Sequence, residues 1–260
     1  MTQPLIVFDM DGVLVDVTDS YRETIAQTVK HFTGIDVTRE QIQDYKNQGG
    51  WNDDWKLSHH IITTAGTEVP FETVKDYFQS IFLGSNPSRD DAPNPSRDDA
   101  PNPSRDDAPN PSRDREGAVS SPALILRERW IARPGALEEL NRQFQFAIFT
   151  GRPKADAELT LNRFANGVAF DPLIGMDDVE NHKPHPEGLL RILEDNPGRK
   201  VYYIGDTVDD ARCARAAKVP FIGIAAPSNP RYIDLVFLFQ EEGAYAIVDD
   251  INFLQEVFAA

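Results

Sequence analysis

Three scarcities bound what this chain can be. Cys213 is its only cysteine, so no disulfide can close within one chain. Cations are outnumbered: 26 Lys and Arg face 42 Asp and Glu, for a formal net charge of −16. Nucleic-acid backbones select surfaces rich in Lys and Arg, so nucleic acid is excluded as a main partner. A small anionic substrate is not excluded, because local cations or a bound metal can outweigh the global field. Long apolar runs are missing as well. Nothing approaches the ~20 residues that a bilayer-spanning helix needs, and no membrane partner is expected. The first residues run straight into a strand-like segment, with no charged n-region leading to an apolar h-region. The expected compartment is a reducing cytoplasm.

What is present, over 260 residues, is enough for one large domain or two modest ones. Leu5-Ile6-Val7-Phe8 is an uninterrupted apolar run, the pattern of a strand covered on both faces. From about Thr18 the period becomes helical: Tyr21, Ile25, Val29 and Phe32 share a stripe, and Gly34 supplies a stop. Thr38 with Gln41 has capping-box spacing and predicts a second helix. Asn52 or Asp53 can cap a third, ending near Gly66, and Phe71, Val74, Phe78 and Phe82 mark a fourth from Pro70 to Leu83. Ser121-Pro122 predicts a further helical stretch to about Arg129. After Pro134 helix and strand patterns alternate. Helices are predicted at 135–142, 154–165, 186–195, 208–217, 230–239 and after Asp250. Strands are predicted at 146–149, 173–174, 201–204, 221–224 and 246–248. Such alternation means right-handed crossovers and a mostly parallel sheet with helices on both faces.

Between the two helical stretches lies an exact repeat. Residues 86–93 recur at 94–101 and 102–109, and the motif starts again at Asn110-Pro111-Ser112-Arg113-Asp114. Each octamer holds two prolines, one Arg, two Asp and a single Ala. It cannot bury enough apolar surface to offset the entropy of ordering it, and its prolines block a continuous helix. A flexible insertion at 86–117 is expected, with a stacked solenoid of capped turns as the lesser alternative. Lengthening a loop from ~8 to ~32 residues costs only about 1.2 kcal/mol of closure entropy, so a fold tolerates it.

Chemistry-bearing residues gather at strand ends. In open parallel sheets ligands bind outside the carboxyl ends of the strands. Asp9 directly follows the first strand, and Asp206 lies two residues beyond Ile204. If those strands are neighbours, two carboxylates meet in one crevice, where they repel unless a cation sits between them. Oxygen donors with substrate phosphate and water suit Mg²⁺, and a carboxylate can attack phosphorus to give an aspartyl-phosphate.

Four motifs in order, Val7-Phe8-Asp9-Met10-Asp11-Gly12, Phe149-Thr150-Gly151-Arg152, His182-Lys183-Pro184 and Gly205-Asp206-Thr207-Val208-Asp209-Asp210, together resemble the haloacid dehalogenase-like hydrolases, most of which are Mg²⁺-dependent phosphatases. The resemblance covers residues 1–16 and about 131–226. It implies an α/β fold: a Rossmann-like three-layer core with a mostly parallel sheet, formed by residues 1–16 and 131–260, plus an inserted all-helical cap at 17–130 that carries the repeat. By the same resemblance Asp9 is the nucleophile and a metal ligand, and Asp11 the general acid/base whose carbonyl also touches the metal. Thr150 and Gly151 bind phosphate, Arg152 follows that loop within reach of substrate anions, and Lys183 binds phosphate and offsets charge on the nucleophile. Asp206 is the second carboxylate ligand and Asp210 orients the metal's water shell. Asp209 sits where the family varies.

Asp11 argues against dehalogenation, since the dehalogenases lack this acid and need no metal. In the cap segment Lys46, Trp51 and Asn52 are candidate specificity residues, weighed against a plain interhelical turn in which the tryptophans only pack. Tyr21 is weighed as a gate or as core. The expected activity is hydrolysis of a small phosphorylated metabolite through an aspartyl-phosphate. The alternatives are a sugar-phosphate mutase of the same superfamily, or a non-catalytic binding protein that uses the repeat. Phosphoglycolate, sugar phosphates, nucleotides and amino-alcohol phosphates all stay open as substrates, as do monomer and homodimer.

Overall fold

The computed structural model describes residues 3–84, 123–165 and 167–259. The predicted octapeptide insertion at 86–117 therefore lies outside the described residues. Six parallel strands form one sheet: β1 (Leu5–Phe8), β4 (Gln145–Phe149), β5 (Leu173–Ile174), β6 (Val201–Gly205), β7 (Phe221–Ile224) and β8 (Ala246–Val248), in the order β5-β4-β1-β6-β7-β8. The first strand thus lies at the centre, with Phe8 aligned to Ile148 on one side and to Ile204 on the other. Period two along β1 divides its side chains between the faces. Ile6 and Phe8 pack with Phe146, Ile148, Tyr202 and Ile204 on one face. Leu5 and Val7 pack with Ala147, Phe149, Val201 and Tyr203 on the other. Helices cover both, which is why the strands read as unbroken apolar runs.

The covering helices are α5 (Ala136–Asn141), α6 (Lys154–Phe164), α7 (Glu187–Asp195), α8 (Val208–Ala217), α9 (Tyr232–Glu241) and α10 (Leu254–Ala259). They match the predicted segments within two residues, apart from the last, where a 3₁₀ turn at Ile251–Phe253 precedes the helix.

Before β4, four helices are inserted: α1 (Tyr21–Thr33), α2 (Arg39–Gln48), α3 (Asp54–Thr64) and α4 (Phe71–Phe82). Gly34 ends α1 at φ 73°, in the left-handed region that glycine adopts freely. Thr38 and Gln41 form the expected reciprocal cap of α2. Asp53, not Asn52, caps α3 by accepting from the Trp55 and Lys56 amides. Tyr21, Ile25 and Val29 are buried against Val74, Phe78 and Phe82, with the Tyr21 and Phe82 rings 4.1 Å apart.

One expectation needs correction. The helix predicted from Ser121 to Arg129 is, in its described part, a 3₁₀ turn at Leu124–Arg127 followed by strand β3 (Arg129–Trp130). β3 pairs antiparallel with β2 (Val15–Asp16), bringing Val15 opposite Trp130. A two-residue pairing leaves no periodic trace, so it was invisible in the sequence. It ties together the two chain segments that enter and leave the helical layer. Arg129 reinforces it by pairing with Asp16 at 3.3 Å and Asp19 at 2.7 Å.

Candidate active site

The neighbouring positions of β4, β1 and β6 bring all four motifs to one edge of the sheet. Asp9 follows β1 and donates its amide to the Ile204 carbonyl at 2.8 Å, which locks the two strand ends together. Asp9, Asp206 and Asp210 each present an oxygen within 4.8 Å of the others. Asp206 approaches closely because residue 12 is glycine: a Cβ there would lie 1.9 Å from Asp206 Oδ2, and its φ of +73° also disfavours other residues. Asp210 reaches the cluster from the first turn of α8, where it forms a capping box with Thr207.

Lys183 bridges the cluster from below, with Nζ 2.9 Å from Asp9 Oδ1 and 2.8 Å from Asp210 Oδ1. Asp210 is fully engaged. Its Oδ1 also accepts from the Tyr203 hydroxyl at 2.7 Å, and its Oδ2 accepts from the Thr207 amide at 3.0 Å and hydroxyl at 2.6 Å. Burial pushes Asp210 up, but the Lys183 charge and these hydrogen bonds outweigh it and hold the carboxyl below its ordinary range. Asp9 goes the other way. Burial, with Asp210 and Asp11 nearby, raises it to about 7 despite Lys183. Asp206 rises well above the carboxylate range, through burial first and then Asp9 and Asp210. Lys183 is held protonated by its two carboxylates against the pull of burial.

Two buried carboxylates, Asp9 and Asp210, and the half-buried Asp206, with one lysine against the first two, leave a deficit of positive charge. Asp9 and Asp206 offer only carboxylate oxygens, and a hard divalent cation between them is the group this donor set fits.

Asp11 stands apart from that cluster. Its Oδ1 accepts from Arg152 Nε at 2.6 Å. Arg152, expected within reach of substrate anions, borders the cavity over the site but is only 2% exposed. It is held by Asp11, by Glu128 at 2.8 Å and by Thr160 Oγ1 at 2.9 Å, and its guanidinium lies 4.7 Å from the Tyr21 ring centroid. Tyr21 is accordingly a packed wall of the site. Thr150 is buried, and its hydroxyl accepts from the Arg152 amide at 3.2 Å, turning the loop after β4.

Of the cap candidates, two reach the site. Asn52 lies over the loop after β4, where a Cβ on Gly151 would come within 2.5 Å of Asn52 Nδ2. Lys46 lines the same cavity but is ion-paired with Asp54. Trp51 does not line it: its ring stacks on His60 at 4.3 Å and meets Tyr45 edge-on at 5.9 Å inside the helical layer. The cavity, about 560 Å³ counting the open solvent at its mouth, is bordered by Asp9, Asp11 and Asp206 below and by Arg22, Asn52 and Trp55 from the helical layer. A smaller one, about 230 Å³ counted in the same way and lined by Thr150, His182 and Lys183, adjoins it.

Sequence reasoning missed several of these contributors. Asp209 was set aside, yet it is buried and accepts the Gly50 amide on both oxygens, at 2.8 and 2.9 Å. Glu128 and Arg22 carry no local signal at all, being single charges in a linker and on a helix.

A model of the haloacid dehalogenase-like hydrolases matches residues 4–218. The chain belongs to this family. Among curated relatives of this hydrolase, an imidazoleglycerol-phosphate dehydratase from Phytophthora nicotianae is 27% identical over 86% of the chain. A putative pyrophosphatase PpaX from Caldanaerobacter subterraneus is 21% identical over 84% of the chain and 80% of its own length. A phosphoglycolate phosphatase from Escherichia coli is 33% identical over 45% of the chain. The chain spans only 44% of the Phytophthora protein and 46% of the Escherichia coli one. Among solved structures, a haloacid dehalogenase-like protein of unknown function from Agrobacterium tumefaciens superposes with a TM-score of 0.65 at 17% identity, over 99% of this chain and 98% of that one. A putative phosphoglycolate phosphatase from Lactobacillus plantarum gives 0.65 at 17% identity, over 99% and 100% of the two chains. At such identities the likeness is one of fold.

Proposed function

We propose that this hydrolase is a Mg²⁺-dependent phosphatase that cleaves a small phosphorylated metabolite through an aspartyl-phosphate. The observation that carries the reading is the cluster of Asp9, Asp206 and Asp210 at the floor of a cavity, with Lys183 bridging Asp9 and Asp210. The names of two relatives, a pyrophosphatase and a phosphoglycolate phosphatase, point to phosphate esters or anhydrides as well. In this reading residues 1–16 and 131–260 form the catalytic core, and residues 17–130 form a cap that closes on the substrate and excludes bulk water.

Asp9 attacks phosphorus. Its bond to phosphorus forms as the bond to the leaving oxygen breaks, and Asp11 gives that oxygen a proton. Asp11 then takes a proton from water as the water attacks the aspartyl-phosphate, releasing inorganic phosphate and restoring Asp9. Arg152 fixes the starting position of Asp11. Thr150, the Gly151 amide and Lys183 hold the oxygens of the transferred group, and Lys183 favours the ionised form of Asp9 against the burial that opposes it. Asp9, Asp206 and the Asp11 carbonyl would hold the Mg²⁺, which would offset the charge shared by nucleophile and substrate. Asp210, with both oxygens already engaged, would orient the surrounding water and position Lys183. Asn52 and Lys46 contribute to choosing the leaving group.

Phosphate release from a panel of phosphomonoesters, with Mg²⁺ or with EDTA, tests this for wild type and Asp9→Asn. The expected outcome is metal-dependent release that falls by about three orders of magnitude or more in the variant. Release that survives EDTA or the substitution overturns the mechanism. An isomerised sugar phosphate with little free phosphate replaces the phosphatase with a mutase.

A further inference from the structure

Among the described residues, the lysines and arginines around the two adjoining cavities are ion-paired with one exception. Arg152 is paired with Asp11 and Glu128, Lys183 with Asp9 and Asp210, and Lys46 with Asp54. Arg22 is different. Among the described residues it has no carboxylate within ion-pair distance, and its Nη1 is buried without a hydrogen-bond partner. It enters the cavity from the first turn of α1, close enough for its charge to act on both Asp206 and Asp54. A buried guanidinium nitrogen left unmatched is costly unless a ligand completes it.

It faces the reacting end across the larger cavity, which Asp9, Asp11 and Asp206 border from the other side. Thr150 and Lys183 line the smaller pocket, whereas Arg22 and Trp55 line the larger one. The two share Asn52, Asp53, Gly151 and Met176 and so adjoin. A substrate whose phosphoryl group lies at Asp9, Thr150 and Lys183 extends its remaining atoms toward Arg22. The planar fork of a guanidinium matches an oxyanion better than a neutral hydroxyl.

We propose that Arg22 is a specificity residue that binds a second oxyanion on the substrate, a carboxylate or a second phosphoryl group, at the end remote from the phosphoryl group that is cleaved. The inference rests on the phosphatase reading and narrows it: the substrate is a phosphomonoester with an anionic tail.

Binding calorimetry in Mg²⁺ buffer with the Asp9→Asn protein separates recognition from turnover. Two matched pairs distinguish the sources of the oxyanion: 2-phosphoglycolate against ethyl phosphate, and glucose 1,6-bisphosphate against glucose 1-phosphate. In at least one pair the anionic-tail ligand is expected to bind about ten- to hundredfold more tightly, the range for a hydrogen-bonded charge. Arg22→Gln in the same background should reduce that preference below about threefold, and Arg22→Lys, which keeps the charge but not the fork, should give an intermediate value. Thermal unfolding of each variant verifies that it is folded, and the Lys variant serves alone if the Gln variant is not.

A preference that survives removal of the guanidinium overturns the proposal. So does the absence of any preference in both pairs while the plain esters still bind. Failure of all four ligands to bind sinks the phosphatase reading, and this inference falls with it.

Discussion

Arg152 and Glu128 are almost completely sealed from water, with side chains 1% and 0% exposed. Each is tolerable there because of the other, together with Asp11, Thr160 and Tyr21 around Arg152 and Thr160 and Arg163 around Glu128. Removing one partner of such a pair leaves a buried charge uncompensated, which costs about 3–5 kcal/mol. Arg152→Met is therefore expected to lower unfolding free energy by that amount in urea titrations. Adding Glu128→Leu should recover more than half of the loss, because the orphaned carboxylate is gone. Equal stability of the single and double variants would mean that Arg152 stabilises through Asp11 and Tyr21 alone. The buried Cys213 makes a simpler point at this scale. Burial pushes its thiol up to about 12, so it is a packing residue of α8 with little thiolate at neutral pH.

At the scale of elements, the helical layer touches the core through a few polar fastenings in addition to its apolar contacts. The start of α8 holds the turn between α2 and α3: Asp209 takes the Gly50 amide, and Arg212 donates to the Gln48 carbonyl at 3.3 Å. Gly49 permits this approach, since a Cβ there would lie 2.2 Å from Arg212 Nη1. Just before α9, Arg231 forms two hydrogen bonds to Asp44 on α2, at 2.6 and 3.0 Å. The Asp209 fastening is the drier one, and a hydrogen bond to a charged group contributes about 1.5–3 kcal/mol. Asp209→Ala should accordingly speed amide hydrogen exchange in the segment 46–55 by about ten- to a hundredfold. Exchange that stays at the wild-type rate would show that apolar packing alone holds this turn.

For the whole molecule, the placement of the insertion is informative. A Cβ built on Gly84 would lie 3.1 Å from the Ala123 Cβ, so the chain leaves the helical layer and returns to it at one point. Residues 84 and 123 are also joined through the contact of α4 with the 3₁₀ turn at Leu124–Arg127. Closing a loop there costs little more for a long segment than for a short one. Deleting residues 86–109 should leave kcat/KM within about twofold and thermal stability nearly unchanged, as expected for a segment that adds only closure entropy. A large loss of turnover would give the repeat a catalytic part; loss of a binding partner with turnover intact would give it a recruiting one. No helix among the described residues is long and apolar enough to cross a membrane.

The residues at strand ends were legible because a buried parallel strand announces itself as a short apolar run, and the next residue must then emerge at the sheet's edge. That local rule placed Asp9, Thr150 and Asp206 correctly, and helical periodicity with caps such as Thr38 and Gly34 placed α1 to α4. Strand order was not legible, because the pairing partners of β1 lie about 140 and 200 residues away and no local pattern records them. The convergence of the carboxylates therefore remained conditional until β1 was found between β4 and β6. The same holds for charge pairing. Nothing near Arg152 in the chain says that it is sealed by Glu128 and Asp11, nothing near Arg22 says that it finds no carboxylate among the described residues, and nothing near Asp209 says that it holds Gly50. Local sequence decided which segments are helix or strand and which atoms stand ready at their ends. Only the tertiary structure decided which of those charges neutralise one another, because electrostatic partnership depends on distance in space and on exclusion of water, and neither is written along the chain.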